Sequence, residues 1–189
     1  MQTRRDVLQS VAVAIGTVAA AKSASAALTE NGKTWCVSIH PHFDRVMGPW
    51  AIKRFVDKDA KFVFATSVKI EDAVKGAIPI GFTTGELSMH DDKGTCYHKV
   101  LVKYQLLNDP ALVILDRVNK ALVDWDLSKT PVDMTDQYAR WSFGLLGLAN
   151  AILVIAKNDQ EALDRGFANF DALYQYITAE LKKGDAKKS

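Results

Sequence analysis

The stretch that most restricts how this chain can fold is an uncharged run of 16 residues, Trp141 to Ala156, within TDQYARWSFGLLGLANAILVIA. The run is too short to span a bilayer comfortably and is interrupted by Asn150, yet it is too apolar to sit in water without cover. It is therefore predicted to be the central buried helix of a soluble domain, over residues 136–156. The flanking sequence supplies elements to wrap it. YHKVLVKYQLL has helical spacing, and NDPALVILDRVNKALVDW adds Asn108 or Asp109 as a cap with Pro110 in the first turn. NDQEALDRGFANFDALYQYITAELKK is amphipathic, with Leu163, Phe167, Phe170 and Leu173 or Tyr174 on one face.

Strand formers are confined to short runs in the first half: KTWCVSI, AKFVFATS and IPIGF. Between the first two, GPWAIKRFVD has the spacing of a helix opening at Pro49, a residue suited to the first helical position. IEDAVKGA is predicted as a short helix, and Gly85 to Gly94 as a polar loop. The fold class is helix-rich α+β: a small sheet of short strands in the N-terminal half, packed with a C-terminal helical bundle. Residues 27–189 form one domain on this reading, with a core at about 33–182.

Residues 1–26 stand apart from the fold. TRRDVLQ carries a twin arginine, Val11 to Ala21 is a short apolar run, and Ala24 to Ala26 supplies the small residues of a cleavage site. Together these are the parts of a twin-arginine export signal, so a periplasmic location is expected, with no stable membrane insertion once the signal is cleaved. The leader holds Arg4, Arg5 and Lys22 against Asp6, so removing it takes the formal net charge from +2 to zero. A neutral chain without a basic stripe gives no reason to expect a nucleic-acid partner. An oxidising compartment would allow Cys36 and Cys96 to form a disulfide, although two cysteines alone do not establish one.

Several stretches acquire meaning as a set. DRVMGPWAIKRFVDKDAKFVF, GELSMHDDKGTCYHKVLVKY, DPALVILDRV and GFANFDALYQYI together resemble the chromate-resistance domain at the C-terminal end of ChrB proteins. Asp44, Arg45, Pro49, Trp50, Arg54 and Asp57 fall on matching positions of the first stretch, and Glu86, His90, Cys96 and Tyr97 on the second. The resemblance covers nearly all of residues 34–178 and implies a link to chromate or other oxyanion stress without supplying a reaction. Three positions depart from the family's pattern. Its Cys before Pro-Trp is Gly48 here, His98 replaces an acidic residue, and the Glu86–His90 spacing is one longer.

All four histidines fall in two clusters, His40/His42 and His90/His98, with Asp44, Glu86, Asp91 and Asp92 beside them. His-x-His in a strand points both rings to one side, and Glu86 and His90 would share a face across a helical turn. Imidazoles with a carboxylate suit zinc, iron, manganese or nickel. His42, Glu86 and His90 are the leading ligands of such a metal site, with His40 and His98 in reserve; surface histidines in loops are the alternative. Arg45 and Arg54 could clamp a small oxyanion at the helix start, or they could form internal ion pairs, with Asp44 as a helix cap. Trp50, Trp125 and Trp141 read most simply as core residues, and Asp124 and Asp126 of DWD either as a solvated helix end or as an added carboxylate for a site. No G-x-S-x-G, phosphate loop or dinucleotide fingerprint is present. Two functions stay open: binding of a metal ion or oxyanion under stress, and metal-dependent redox or hydrolytic catalysis.

Overall fold

The computed structural model describes residues 27–128 and 133–186; residues 1–26, where an export signal is expected, lie outside what is described, as do the side chains of Asp126 and of residues 127, 128, 185 and 186. Three strands form one parallel sheet in the order β2-β1-β3, with β1 at Thr34–Ser38, β2 at Lys61–Ala65 and β3 at Ile78–Ile80. All three coincide with the short strand-forming runs. The central strand β1 is buried from Trp35 onward, as expected of a parallel strand covered on both faces. Trp35 and Val37 face the main core, while Cys36 packs with Ala65 and Phe82 in a small cluster on the other face.

Five α-helices complete the described residues: α1 at Asp44–Ala51, α2 at Cys96–Lys103, α3 at Pro110–Ser128, α4 at Gln137–Ile155 and α5 at Asp159–Ala186. The helix-rich α+β class therefore holds, with the sheet in the N-terminal half and helices after it. Asp109 is the residue that caps α3, its carboxylate accepting from Ala111 N at 2.8 Å and Leu112 N at 3.3 Å. IEDAVKGA forms only a 3-10 turn, Ile70–Asp72, because its apolar residues need only reach the small cluster behind β1.

α1 differs from its expected form. It begins at Asp44, so Pro49 lies inside it, and Asp44 is its first residue rather than its cap. Proline removes one backbone donor, and the helix continues as a π-turn, Ile52–Val56, closed by Asp57 N on Ile52 O at 2.7 Å. Burial explains the tolerance: Val46 through Ala51 are all buried, and tertiary packing holds what local propensity would not. Asp57 then ties the turn to the sheet, accepting from Gly32 N, Lys33 N and Trp35 Nε1. Burial alone would push the Asp57 carboxyl up, but these bonds and one from Asp59 N bring it below its ordinary value.

The core centres on Trp50, which is fully buried and packs edge-on or tilted against Phe55, Tyr97, Phe170 and Tyr174. Its indole donates to Asp171 Oδ1 at 2.8 Å, and the same carboxylate receives two bonds from Arg54. α5 can come this close because Gly166 faces Val46; a Cβ there would meet Val46 Cγ1 at 2.7 Å. The α5 face anticipated from periodicity is the one used: Leu163, Phe167 and Phe170 are buried, and Leu173 and Tyr174 pack against them.

The central buried helix is not where its hydropathy placed it. α4 begins within one residue of the expected start, with Asp136 as cap, but only Ala139, Ser142 and Ile152 are buried. By length and composition it is apolar enough to cross a membrane, and only 17% of that stretch is buried. α4 packs by one side on α3 and α5, through Phe143 against Trp125 and Trp141 against Tyr176, so Trp125 and Trp141 border the core rather than fill it. Leu148, Val154 and Ile155 face outward.

Candidate functional site

The chain leaves β1 at Ser38 and reaches α1 through a five-residue turn. His40 and Phe43 in this turn have φ of 53° and 32°. Non-glycine residues rarely adopt that region, and such strain persists only where the surroundings impose it. Here Phe43 is locked in the core against Phe170, and His40 N donates to Asp159 Oδ1 at the start of α5. The turn separates the two histidines. His40 is exposed near Asp159, whereas His42 turns toward the body of the protein. The strand that would have aligned them has already ended.

His42 lines a chamber of about 160 Å³ together with Asp44, His90, Leu122, Val123 and Leu146. Burial pushes the Asp44 carboxyl up from its ordinary value, against the pull of His42, Arg45 and His90, which favours ionisation. A second cleft, of about 360 Å³, adjoins the first and shares His90 and Val123 with it. Its walls are the turn at residues 90–95, His98 of α2 and one side of α3, including Asp116.

The turn that carries His90 is held from behind. Lys99 is buried and donates through Nζ to Ser88 Oγ at 2.8 Å and Met89 O at 2.7 Å, and it pairs with Asp91 at 2.7 Å. His90 is thus flanked by two residues clamped to α2. His98 Nδ1 lies 2.6 Å from Asp116 Oδ2. With a carboxylate on Nδ1, the imidazole carries its proton there and presents Nε2 as an acceptor or metal ligand. Thr95 caps α2 by accepting from His98 N, and it also accepts from Asn119 Nδ2. Among the described residues, Asp116 Oδ1 and Asn119 Oδ1 are buried without a donor.

The remaining expected site residues lie elsewhere. No helical turn joins Glu86 to His90; Glu86 is exposed and pairs with Lys103 at 2.6 Å, while Leu87 between them plugs into the core. Arg54 is engaged by both oxygens of Asp171, and Arg45 donates to Ile39 O at 3.2 Å, so the two arginines face separate partners and form no common clamp. Asp124 is ion-paired with Lys120 at the rim of the larger cleft. Cys36 and Cys96 are free thiols: Cys36 faces the small cluster behind β1 and Cys96 belongs to the main core, so the sheet separates them. Burial pushes the Cys96 thiol up to about 12, which leaves it unreactive. A Cβ at Gly48 would stand 3.3 Å from Cys96 Sγ, so the cysteine of the family's pattern would put two sulfurs in contact, and Gly48 removes that possibility.

Sequence reasoning missed Lys99, Asp116 and Asn119. Asp116 carried a signal, as the single acid within ALVILDRV, and Lys99 lies one helical turn from Cys96 on a buried face. Among the described residues, no three His, Cys, Asp or Glu side chains are arranged to hold a metal ion as they stand. Donor types nonetheless fit one around His90: two further imidazoles, His42 and His98, and five carboxylates, Asp44, Asp91, Asp92, Asp116 and Asp124, line the two cavities.

Neither the curated proteins nor the solved structures gave a match. The family model described as the C-terminal domain of ChrB matches residues 35–177, which takes in β1, α1, the His90 turn, α2, α3, α4 and most of α5. The chain belongs to the ChrB C-terminal domain family, and that membership links it to chromate resistance.

Proposed function

We propose that this protein is an exported, non-catalytic binding protein of chromate or metal stress, and that its ligand is a divalent transition-metal ion held where the two cavities meet at His90. The observation that carries the reading is the His98–Asp116 pair at 2.6 Å beside His90, with Asp116 Oδ1 buried and without a donor. A carboxylate that orients one imidazole while keeping a free oxygen is what a cation site uses in its ligands and in their supporting partners. Gathering the donors requires His90 to rotate toward His98 or His42, a side-chain motion that is fast at partly exposed positions. Zinc, iron, manganese and nickel all suit this donor set. A small oxyanion suits it less well, because Asp91, Asp92, Asp116 and Asp124 line the larger cleft and Arg54 is committed to Asp171.

Metal analysis of protein purified from its native host tests the reading. One equivalent of a transition metal is expected, falling to a trace in His90→Ala; a metal-free wild type would overturn it. Export is tested separately. Arg4→Lys with Arg5→Lys should hold the chain in the cytoplasm, and normal periplasmic recovery would rule out the twin-arginine route.

A second reading, a metal-dependent redox or hydrolytic enzyme, is favoured by the same histidine. An imidazole oriented by a carboxylate at the wall of a 360 Å³ cleft can act as a general base. Turnover of a substrate by the metal-loaded protein, lost in Asp116→Asn with the metal retained, would select it over simple binding.

A further inference from the structure

α4 presents a continuous outward strip: Gly144, Gly147, Leu148, Ala151, Val154 and Ile155 are all exposed, with Val154 at 85%. At 100° per residue these positions span less than half the circumference. Gly144, Leu148, Ala151 and Ile155 recur at spacings of four, three and four, the repeat of a helix-packing seam. Contiguous apolar surface of this kind marks an interaction site.

We propose that this strip is the contact through which two copies of the chain pair about a two-fold axis, α4 against α4, antiparallel. The seam complements itself in only one sense. With the axis between Leu148 and Ala151, Leu148 of each copy lies over Ala151 of the other, and Ile155 lies over Gly144. Large side chains thus meet small ones along the whole contact. A parallel pairing would set Leu148 on Leu148 and leave Gly144 facing Gly144.

Charge favours the same sense. The entry to α4 carries exposed Asp133, Asp136 and Arg140, and its exit carries exposed Lys157. Antiparallel pairing opposes the two helix dipoles, so the partial charges at the facing helix ends attract rather than repel. Asp133 and Asp136 at one end, and Asp159 and Glu161 beyond Lys157 at the other, also leave the strip without the basic excess that would draw it to an anionic membrane surface. The inner side of α4 supplies Leu146 to the smaller cavity, so pairing would steady that wall.

Sedimentation of the full chain, purified as it accumulates in its host, tests this. A dimer is expected for the wild type at micromolar concentration. Leu148→Glu should sediment as a monomer with an unchanged circular-dichroism spectrum, and Val154→Glu, at a more exposed position, repeats the test should Leu148→Glu fold poorly. Leu148→Cys combined with Ala151→Cys should cross-link two copies under mild oxidation, since Cys36 and Cys96 are buried. A wild type that stays monomeric, a dimer untouched by either Glu variant, or absence of the cross-link would overturn the proposal. So would a monomer that binds anionic phospholipid vesicles through this strip.

Discussion

α1 and α4 invert what their compositions suggest. α1 opens with Asp44 and Arg45 and contains a glycine and a proline, yet six of its eight residues are buried. α4 is the most apolar helix described, yet three of its nineteen residues are buried. The difference lies in neighbours. α1 runs between the sheet, α2 and α5, where Gly48 and Gly166 permit close approach, whereas α4 is an outer helix with α3 and α5 on one side only. Hydropathy measures what a segment gains by leaving water; topology decides whether anything is there to receive it.

The largest effect is expected where α1 is most enclosed. Trp50→Ala removes a fully buried indole ringed by four aromatic side chains and strips Asp171 of one donor. It should cost about 3–5 kcal/mol in urea unfolding. A loss under about 1 kcal/mol would show that α1 is not the centre of the core.

A carboxylate on α4 should cost less, and by an amount that depends on its side. Leu146→Asp faces the smaller cavity and is expected to cost about 1–3 kcal/mol. Leu148→Asp, on the exposed strip, should change the stability of the monomer by less than about 0.5 kcal/mol, measured at high dilution. Equal, large losses at both positions would restore α4 as a buried helix and erase the contrast with α1.

A smaller effect concerns the pH dependence at the start of α1. Burial raises the Asp44 carboxyl above its ordinary value, so the folded protein holds a proton that the unfolded chain has released. The stability contribution of Asp44 is therefore full below about pH 4 and declines as pH rises through its elevated folded value. Asp171 has the opposite sign. The Arg54 bonds hold its carboxyl below the usual range, so its contribution is present above about pH 4 and lost as pH falls further. Asp44→Asn should abolish the first slope and leave the second, read as urea midpoints from pH 3 to pH 8. A wild-type slope that persists in Asp44→Asn would place the burdened acid elsewhere.

These contrasts also mark how far the sequence could be read. The three short strands, the cap of α3 and the buried face of α5 were legible because each is a local pattern. The start of α1 was not. Pro49 has a strong local preference for a first helical turn, and only the enclosure of residues 46–51 keeps it inside one. At the site, the histidines were legible as residue types but not as partners. Glu86 and His90 are four apart, yet Leu87 anchors the chain between them in the core and turns Glu86 toward Lys103. Asp116, eighteen residues beyond His98, pairs with it because α2 and α3 pack side by side, a relation that no local spacing encodes.

His90, and not Glu86, is the residue proposed to belong to a cation site shared by the two cavities. That assignment is tested most directly by calorimetric titration of wild type, His90→Ala, His42→Ala and Glu86→Ala with zinc, manganese, iron(II) and nickel at pH 7.5 and pH 5.5. One tight equivalent of at least one metal is expected in wild type and in Glu86→Ala. A loss of at least about tenfold in affinity is expected in each histidine variant, with little further loss when the two are combined and weaker binding at the lower pH, where imidazoles protonate. Equal affinity in wild type and both histidine variants, or a loss confined to Glu86→Ala, would contradict it.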